Sequence, residues 1–202
     1  MITPELWANA LTYADYRTKV DTLYAAGKGS EYDEKMNTPE ILHYVELNIH
    51  RMKRLDKTAK LLPEVGAKID QMAPQKWLIL TEGWCGDASQ IVPVMQKIAD
   101  NSNGKIEARY LLRDEHTDLM DQYLTNGGRA IPKLIKLNAD TLEVLGDWGP
   151  RPVAAQALVD DYKRQSKENP KSVSFEDIKT AIHKWYADNK TVDTQREIFG
   201  IF

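Results

Sequence analysis

The sequence predicts an α/β fold: a mixed β-sheet flanked by helices, with additional helices at both termini. Three patterns carry that prediction. Between residues 76 and 112 a strand, a helix and a second strand succeed one another through short loops, which implies a parallel pair. Residues 133–145 hold two strand-like runs around a polar turn, a hairpin that adds antiparallel edge strands. The first third of the chain, and the segments after Pro152 and Ser174, space apolar residues three to four apart, as amphipathic helices do.

Thr3-Pro4-Glu5 sets a capping residue before a proline at the first helical position. Leu6, Ala10, Tyr13, Arg17, Val20 and Tyr24 continue at helical steps to Gly27, and only Arg17 breaks the apolar stripe. Thr38-Pro39-Glu40 repeats the start signal. Ile41, Val45, Ile49, Met52, Leu55, Ala59 and Leu62 then hold the period until Pro63. These read as two helices packed as a hairpin against the downstream chain. Lys76 to Thr81 suits a fully buried strand. Asp87 to about Ser102 reads as a helix, broken off at Asn103-Gly104, and Ile106 to Leu112 alternates as a strand.

Asp114 is expected to cap a helix through Leu119, Met120, Tyr123 and Leu124, stopped by Asn126-Gly127-Gly128. The hairpin runs from Lys133 to Leu137, turns at Asn138-Ala139-Asp140, and returns from Leu142 to Leu145. Pro152 opens a helix to about Lys167. Ser174 starts another, with Phe175, Ile178, Ile182 and Trp185 as its apolar stripe. Four apolar residues in the last five predict a tail docked on the body. The organisation read from these patterns is a helical extension over 1–73, a core over 74–165 and a second extension over 166–202.

Composition narrows the function classes. The 202 residues carry 27 Lys+Arg against 30 Asp+Glu, a net charge of -3, which argues against nucleic acid as a partner. One cysteine excludes an intrachain disulfide and a Cys-only metal site. His43, His50, His116 and His183 are scattered, so neither metal nor cofactor is expected. No glycine-rich phosphate loop succeeds a strand, and no G-x-S-x-G motif occurs. The start MITPELW has no basic or apolar leader, and Trp77-Leu78-Ile79-Leu80 is far short of the roughly 20 residues of a bilayer span. A cytoplasmic protein that uses no membrane is the expectation, and a lone cysteine fits a reducing compartment.

That cysteine marks the candidate site. Trp84-Cys85-Gly86-Asp87-Ala88 lies directly after the buried strand and opens a helix, so the thiol meets free N–H groups and the positive end of the helix dipole. Gly86 permits a close turn, and Trp84 suits a wall of the site. A lone cysteine is otherwise a small buried hydrophobe.

At this point the sequence resembles the thioredoxin family. Trp84 to Pro93 looks like the family's WCGPC motif and the helix after it, with the helix proline eight residues after Cys85. Gly128-Arg129-Ala130-Ile131-Pro132-Lys133-Leu134 resembles the cis-proline loop, and Gly146 and Gly149 the connection to the last core helix. The resemblance covers about residues 74–165 and implies a thioredoxin-like sheet, an exposed, functional thiol at Cys85, a cis bond before Pro132, and substrate docking shaped by Ile131 and Pro132.

The departures restrict the chemistry. Ala88 replaces the second cysteine, Asp87 the motif proline, and Ile79 stands where the family commonly keeps a buried acid. Two-cysteine disulfide reduction is therefore closed to a single chain. The leading expectation is a monothiol thiol–disulfide oxidoreductase. Cys85 is its nucleophile, Gly86 and the helix N-terminus support the thiolate, and an external thiol resolves the intermediate. Its partner would be a protein disulfide or a low-molecular-weight thiol. The alternative is a redox-inactive protein- or peptide-binding module using the groove beside Pro132. A third reading, a monothiol-glutaredoxin-like binder of glutathione or an iron–sulfur cluster, lacks a clear basic pocket. A helix N-terminus contributes only roughly 0.3–1 kcal/mol to a thiolate, and an inward carboxylate on Asp87 would cancel it.

Overall fold

Four strands form one sheet in the order β2-β1-β3-β4 in the computed structural model, which describes residues 2–169 and 173–201. The strands are β1 (Gln75–Thr81), β2 (Ile106–Leu112), β3 (Lys133–Asn138) and β4 (Val144–Trp148). β1 and β2 are parallel, with Trp77 opposite Ala108, as the intervening helix α5 (Gly86–Asp100) requires. β3 runs antiparallel to β1, with Leu78 opposite Ile135, and antiparallel to β4. Of the hairpin strands only β4 is therefore an edge; β3, expected at the edge, lies inside the sheet.

The first predicted helix is two. Thr3 caps α1 (Pro4–Asn9), and Thr12 caps α2 (Tyr13–Ala25) by accepting the Asp15 N–H at 3.2 Å. Between them Leu11 exchanges backbone hydrogen bonds with Tyr110, both 2.9 Å, extending pairing to the outer side of β2. The apolar residues stay in phase across this break, which hides it from periodicity. Arg17, the polar interruption, pairs with Asp56 at 2.5 Å and so ties α2 to α3 (Pro39–Thr58). α3 stops earlier than its apolar stripe. Leu62 becomes the cap of α4 (Pro63–Gln71), with Pro63 at the first position of a helix rather than after the last.

Two further expectations shift. α6 is a single turn, Thr117–Met120, with His116 at its cap; Asp114 instead pairs with Arg113 at 2.5 Å and accepts the Ser30 hydroxyl at 3.1 Å. In the hairpin, the Asn138 side chain accepts the N–H groups of Asp140 and Thr141, which delays β4 to Val144.

β1 is buried from Trp77 to Thr81, and α5 lays Ile91, Val92, Met95 and Ile98 over it. α7 (Val153–Glu168), α8 (Phe175–Asn189) and α9 (Val192–Ile198) complete the chain in the described residues. Of the tail expected to dock, Phe202 lies outside the described residues. Ile198, the last residue of α9, is fully buried and Phe199 meets Trp77, while in α9 the Gln195 amide bonds the backbone of Lys60 and Leu62. Among the described residues no helix is long and apolar enough to cross a membrane.

Candidate functional site

The sheet delivers Cys85 to the centre of the molecule. β1 ends at Thr81, the Cys85 N–H donates to the Glu82 carbonyl at 3.2 Å, and Cys85 becomes the N-cap of α5. Its Sγ accepts the Ala88 N–H at 3.5 Å, the helix-terminus contact expected from sequence. The thiol donates in turn to the Ile131 carbonyl at 3.3 Å. That contact sets the loop beside the motif, and its Ile131–Pro132 bond is cis, as the resemblance implied. A second cis bond joins Gly149 to Pro150. Gly149 has φ +116°, and a Cβ there would stand 2.3 Å from the Pro132 carbonyl oxygen. Glycine at 149 is what lets the chain leaving β4 pass against the cis-proline loop.

Trp84, Cys85, Gly86, Asp87, Ile131 and Pro132 thus come together, with Ala88 buried behind the thiol. The exposure expected of Cys85 is not found: the residue is 8% exposed. Its thiol is pushed up to about 12, first by burial and then by the Asp87 carboxylate; the Ala88 N–H and Arg151 oppose this with smaller effects.

Asp87 faces away from free solvent and into a network. Its Oδ2 accepts from Arg151, and its Oδ1 accepts the Tyr186 hydroxyl at 2.7 Å. Tyr186 belongs to α8, so the residue that replaces the family's motif proline is where α8 fastens. His183, one turn earlier on α8, lies over Gly86: a Cβ on Gly86 would meet its ring at 3.2 Å. The His183 Nδ1 lies 3.4 Å from the Gln90 amide on α5. Burial, and then the nearby Arg51 charge, push His183 down to about 4.

Sequence reasoning missed the buried acid. It looked at position 79, which is a fully buried isoleucine, whereas Glu82 is 2% exposed and accepts the Asp114 N–H at 2.9 Å. Burial, and then the Asp114 carboxylate, push Glu82 up to about 8. An acid at the end of an otherwise apolar strand was the available signal. Arg51, Arg151, His183 and Tyr186 were also missed; they sit on elements remote in sequence, and no local pattern marks them.

Over the motif lies a cleft of about 520 Å³. α3 forms one wall with Ile41, Tyr44, Asn48 and Arg51, residues three to four apart on one face. α8 forms the facing wall with Phe175, Ile178, Ile182 and His183, while Trp84, Cys85 and Ile131 make the floor. Arg113, Arg129, Arg151, Lys163 and Lys179 also border it, so the cleft gathers cations from distant parts of the chain. A second cavity, about 460 Å³, lies on the far side between Trp77, Lys136 and Phe199, away from the thiol.

Two solved structures share the overall arrangement. A protein of unknown function from Pseudomonas aeruginosa is 16% identical, with all of this chain and 97% of that one aligned at a TM-score of 0.59. An HIV epitope-scaffold is 15% identical, with the same coverage and a TM-score of 0.58. At such identities the likeness concerns the fold. No curated protein matches the sequence. Residues 35–163 match the family described as Thioredoxin, a stretch that opens ahead of α3 and closes within α7. With its mixed sheet, cis-proline loop and cysteine at the head of α5, the chain belongs to the thioredoxin family.

Proposed function

We propose that the chain works as a thioredoxin-fold binding module, with the cleft over Cys85 as its binding site, rather than as a monothiol exchanger. The observation that carries this reading is the cover over the thiol. α8 lies across the head of α5, held by Tyr186 on Asp87 and by His183 against Gly86. Thiolate is the attacking species in disulfide exchange. A thiol at 8% exposure, bonded to the Ile131 carbonyl and pushed up by burial and Asp87, supplies little of it at neutral pH. What favours exchange is the Ala88 N–H on Sγ and the charge of Arg151, and both are outweighed. Against that inert thiol stands a cleft of about 520 Å³, a volume typical of small-molecule sites, which span about 300–1,000 Å³.

Alkylation of Cys85 by iodoacetamide as a function of pH tests the reading. The folded chain is expected to react slowly at pH 7–8, with a midpoint well above that of the same chain in concentrated urea, which should lie near the ordinary value of about 8.5. Wild type should trap no more mixed disulfide than Cys85→Ser. Rapid labelling of the folded chain with a midpoint at or below 8.5 would overturn the binding reading and restore the monothiol one.

A further inference from the structure

We propose that the cleft over Cys85 binds a small amphipathic carboxylic acid, its carboxylate on Arg51 and its apolar body along Tyr44, Trp84 and Ile178. The inference rests on the binding reading above and names its ligand class. Arg51 is half-buried on the cleft wall, and its Nη1 donates to the Asn48 Oδ1 at 2.8 Å. Asn48 is fully buried and donates its amide to the Gly83 carbonyl at 3.0 Å, so the guanidinium is held in place. Most other cations around the cleft already have carboxylates: Arg113 has Asp114, Arg129 has Asp121, Arg151 has Asp87 and Lys179 has Glu176. Among the described residues Arg51 has none.

The surroundings sharpen that deficit. Burial and the neighbouring Arg54 both push Arg51 down, and Arg51 in turn helps keep His183 neutral. The acids bordering the cleft do not relieve it. Asp87 is taken by Arg151 and Tyr186, and Glu40 is an exposed residue in the first turn of α3. Lys163 on α7 adds a further positive charge at the border. A half-buried cation without a counter-charge gains from an anion that reaches it between apolar walls.

The hydrogen-bonding inventory separates a carboxylate from a peptide. Among the described residues the buried Trp84 indole N–H has no acceptor, and Trp84 lines the cleft. The Asn48 Oδ1 already accepts from Arg51, and the Ile131 carbonyl from the Cys85 thiol. A peptide backbone brings donors and acceptors in equal number. A half-buried guanidinium without a counter-charge, set between apolar walls, suits an acceptor-only head on an apolar body.

Titration of the full chain with decanoate, and with decanol as its uncharged counterpart, tests the proposal by calorimetry. Decanoate should saturate one site and bind about tenfold or more tighter than decanol. Arg51→Gln should remove that advantage and leave decanol binding unchanged. In the wild type, bound decanoate should raise the pH at which the His183 ring titrates in NMR spectra, a reading independent of any variant. Equal affinity for decanoate and decanol would overturn the proposal, as would undiminished decanoate binding by a folded Arg51→Gln chain. Saturation by glutathione in place of decanoate would overturn the ligand class. In each of these cases slow Cys85 alkylation would leave the binding reading standing, whereas fast alkylation would remove that reading itself.

Discussion

Glu82→Gln isolates one buried carboxyl through its pH dependence. Glu82 is 2% exposed, bonded to the Asp114 N–H, and faces the charges of Asp114, Arg113 and Glu115. With a folded value of about 8 against an ordinary 4.5, the native chain holds a proton that the unfolded chain has lost across that interval. Stability then falls as pH rises, by about 1.4 kcal/mol per pH unit. His183 acts with the opposite sign. Its folded value of about 4 lies below the ordinary 6.5, so stability rises with pH between those limits. The two oppose one another most strongly below pH 6.5, and from pH 6.5 to 8 Glu82 outweighs what remains of the His183 effect. Over that window the wild type should lose roughly 1–2 kcal/mol of unfolding free energy. Urea denaturation monitored by tryptophan fluorescence at pH 6.5, 7.2 and 8 measures the slope. Glu82→Gln keeps an oxygen for the Asp114 N–H and cannot titrate, so its slope should be close to zero whatever its absolute stability. A wild-type free energy that is flat or rising across the window would refute the reasoning, as would a glutamine variant that keeps the wild-type slope.

Two further substitutions probe the cover and the loop. Asp87→Asn removes the charge that most raises the Cys85 thiol after burial and weakens the hold of Arg151 and Tyr186; the alkylation midpoint of the folded chain should fall and its rate at pH 8.5 increase severalfold. Gly149→Ala sets a Cβ against the Pro132 oxygen at a φ of +116°, and should cost about 2 kcal/mol or more in urea denaturation, whereas alanine at the unobstructed Gly104 should cost less.

The elements that sequence read correctly are those whose residues answer to their own neighbours. β1 is legible because a strand buried on both faces is apolar throughout, and α5 because Cys85 and Asn103-Gly104 bracket it. The cis bond at Pro132 came through the family resemblance, since an isolated Ile-Pro does not announce its isomer. The failures have a common source. The split between α1 and α2 is forced by Leu11 pairing with Tyr110, a contact with a strand about a hundred residues away. The inner place of β3 depends on which strand the hairpin chooses, and hairpin spacing alone does not encode that choice. In the site, the motif residues were named in advance, yet the burial of Cys85 was not. It depends on Tyr186 and His183, whose spacing on α8 reads as an ordinary helix face.

The motif's two departures from the family pattern make sense together. Alanine at 88 removes the resolving thiol, so exchange at Cys85 would need an external thiol to reach a sulfur that is 8% exposed. Aspartate at 87 then does what a proline in that position could not: it accepts two side-chain donors, one from Arg151 beyond β4 and one from Tyr186 on α8. The same carboxylate that fastens α8 over the thiol also raises the thiol electrostatically. Covering and deactivation thus share one residue, and the helix brought in by it supplies the second wall of the cleft. Under the proposed binding function, the motif keeps its place in the family fold, and Asp87 serves there to anchor the helix that walls the cleft.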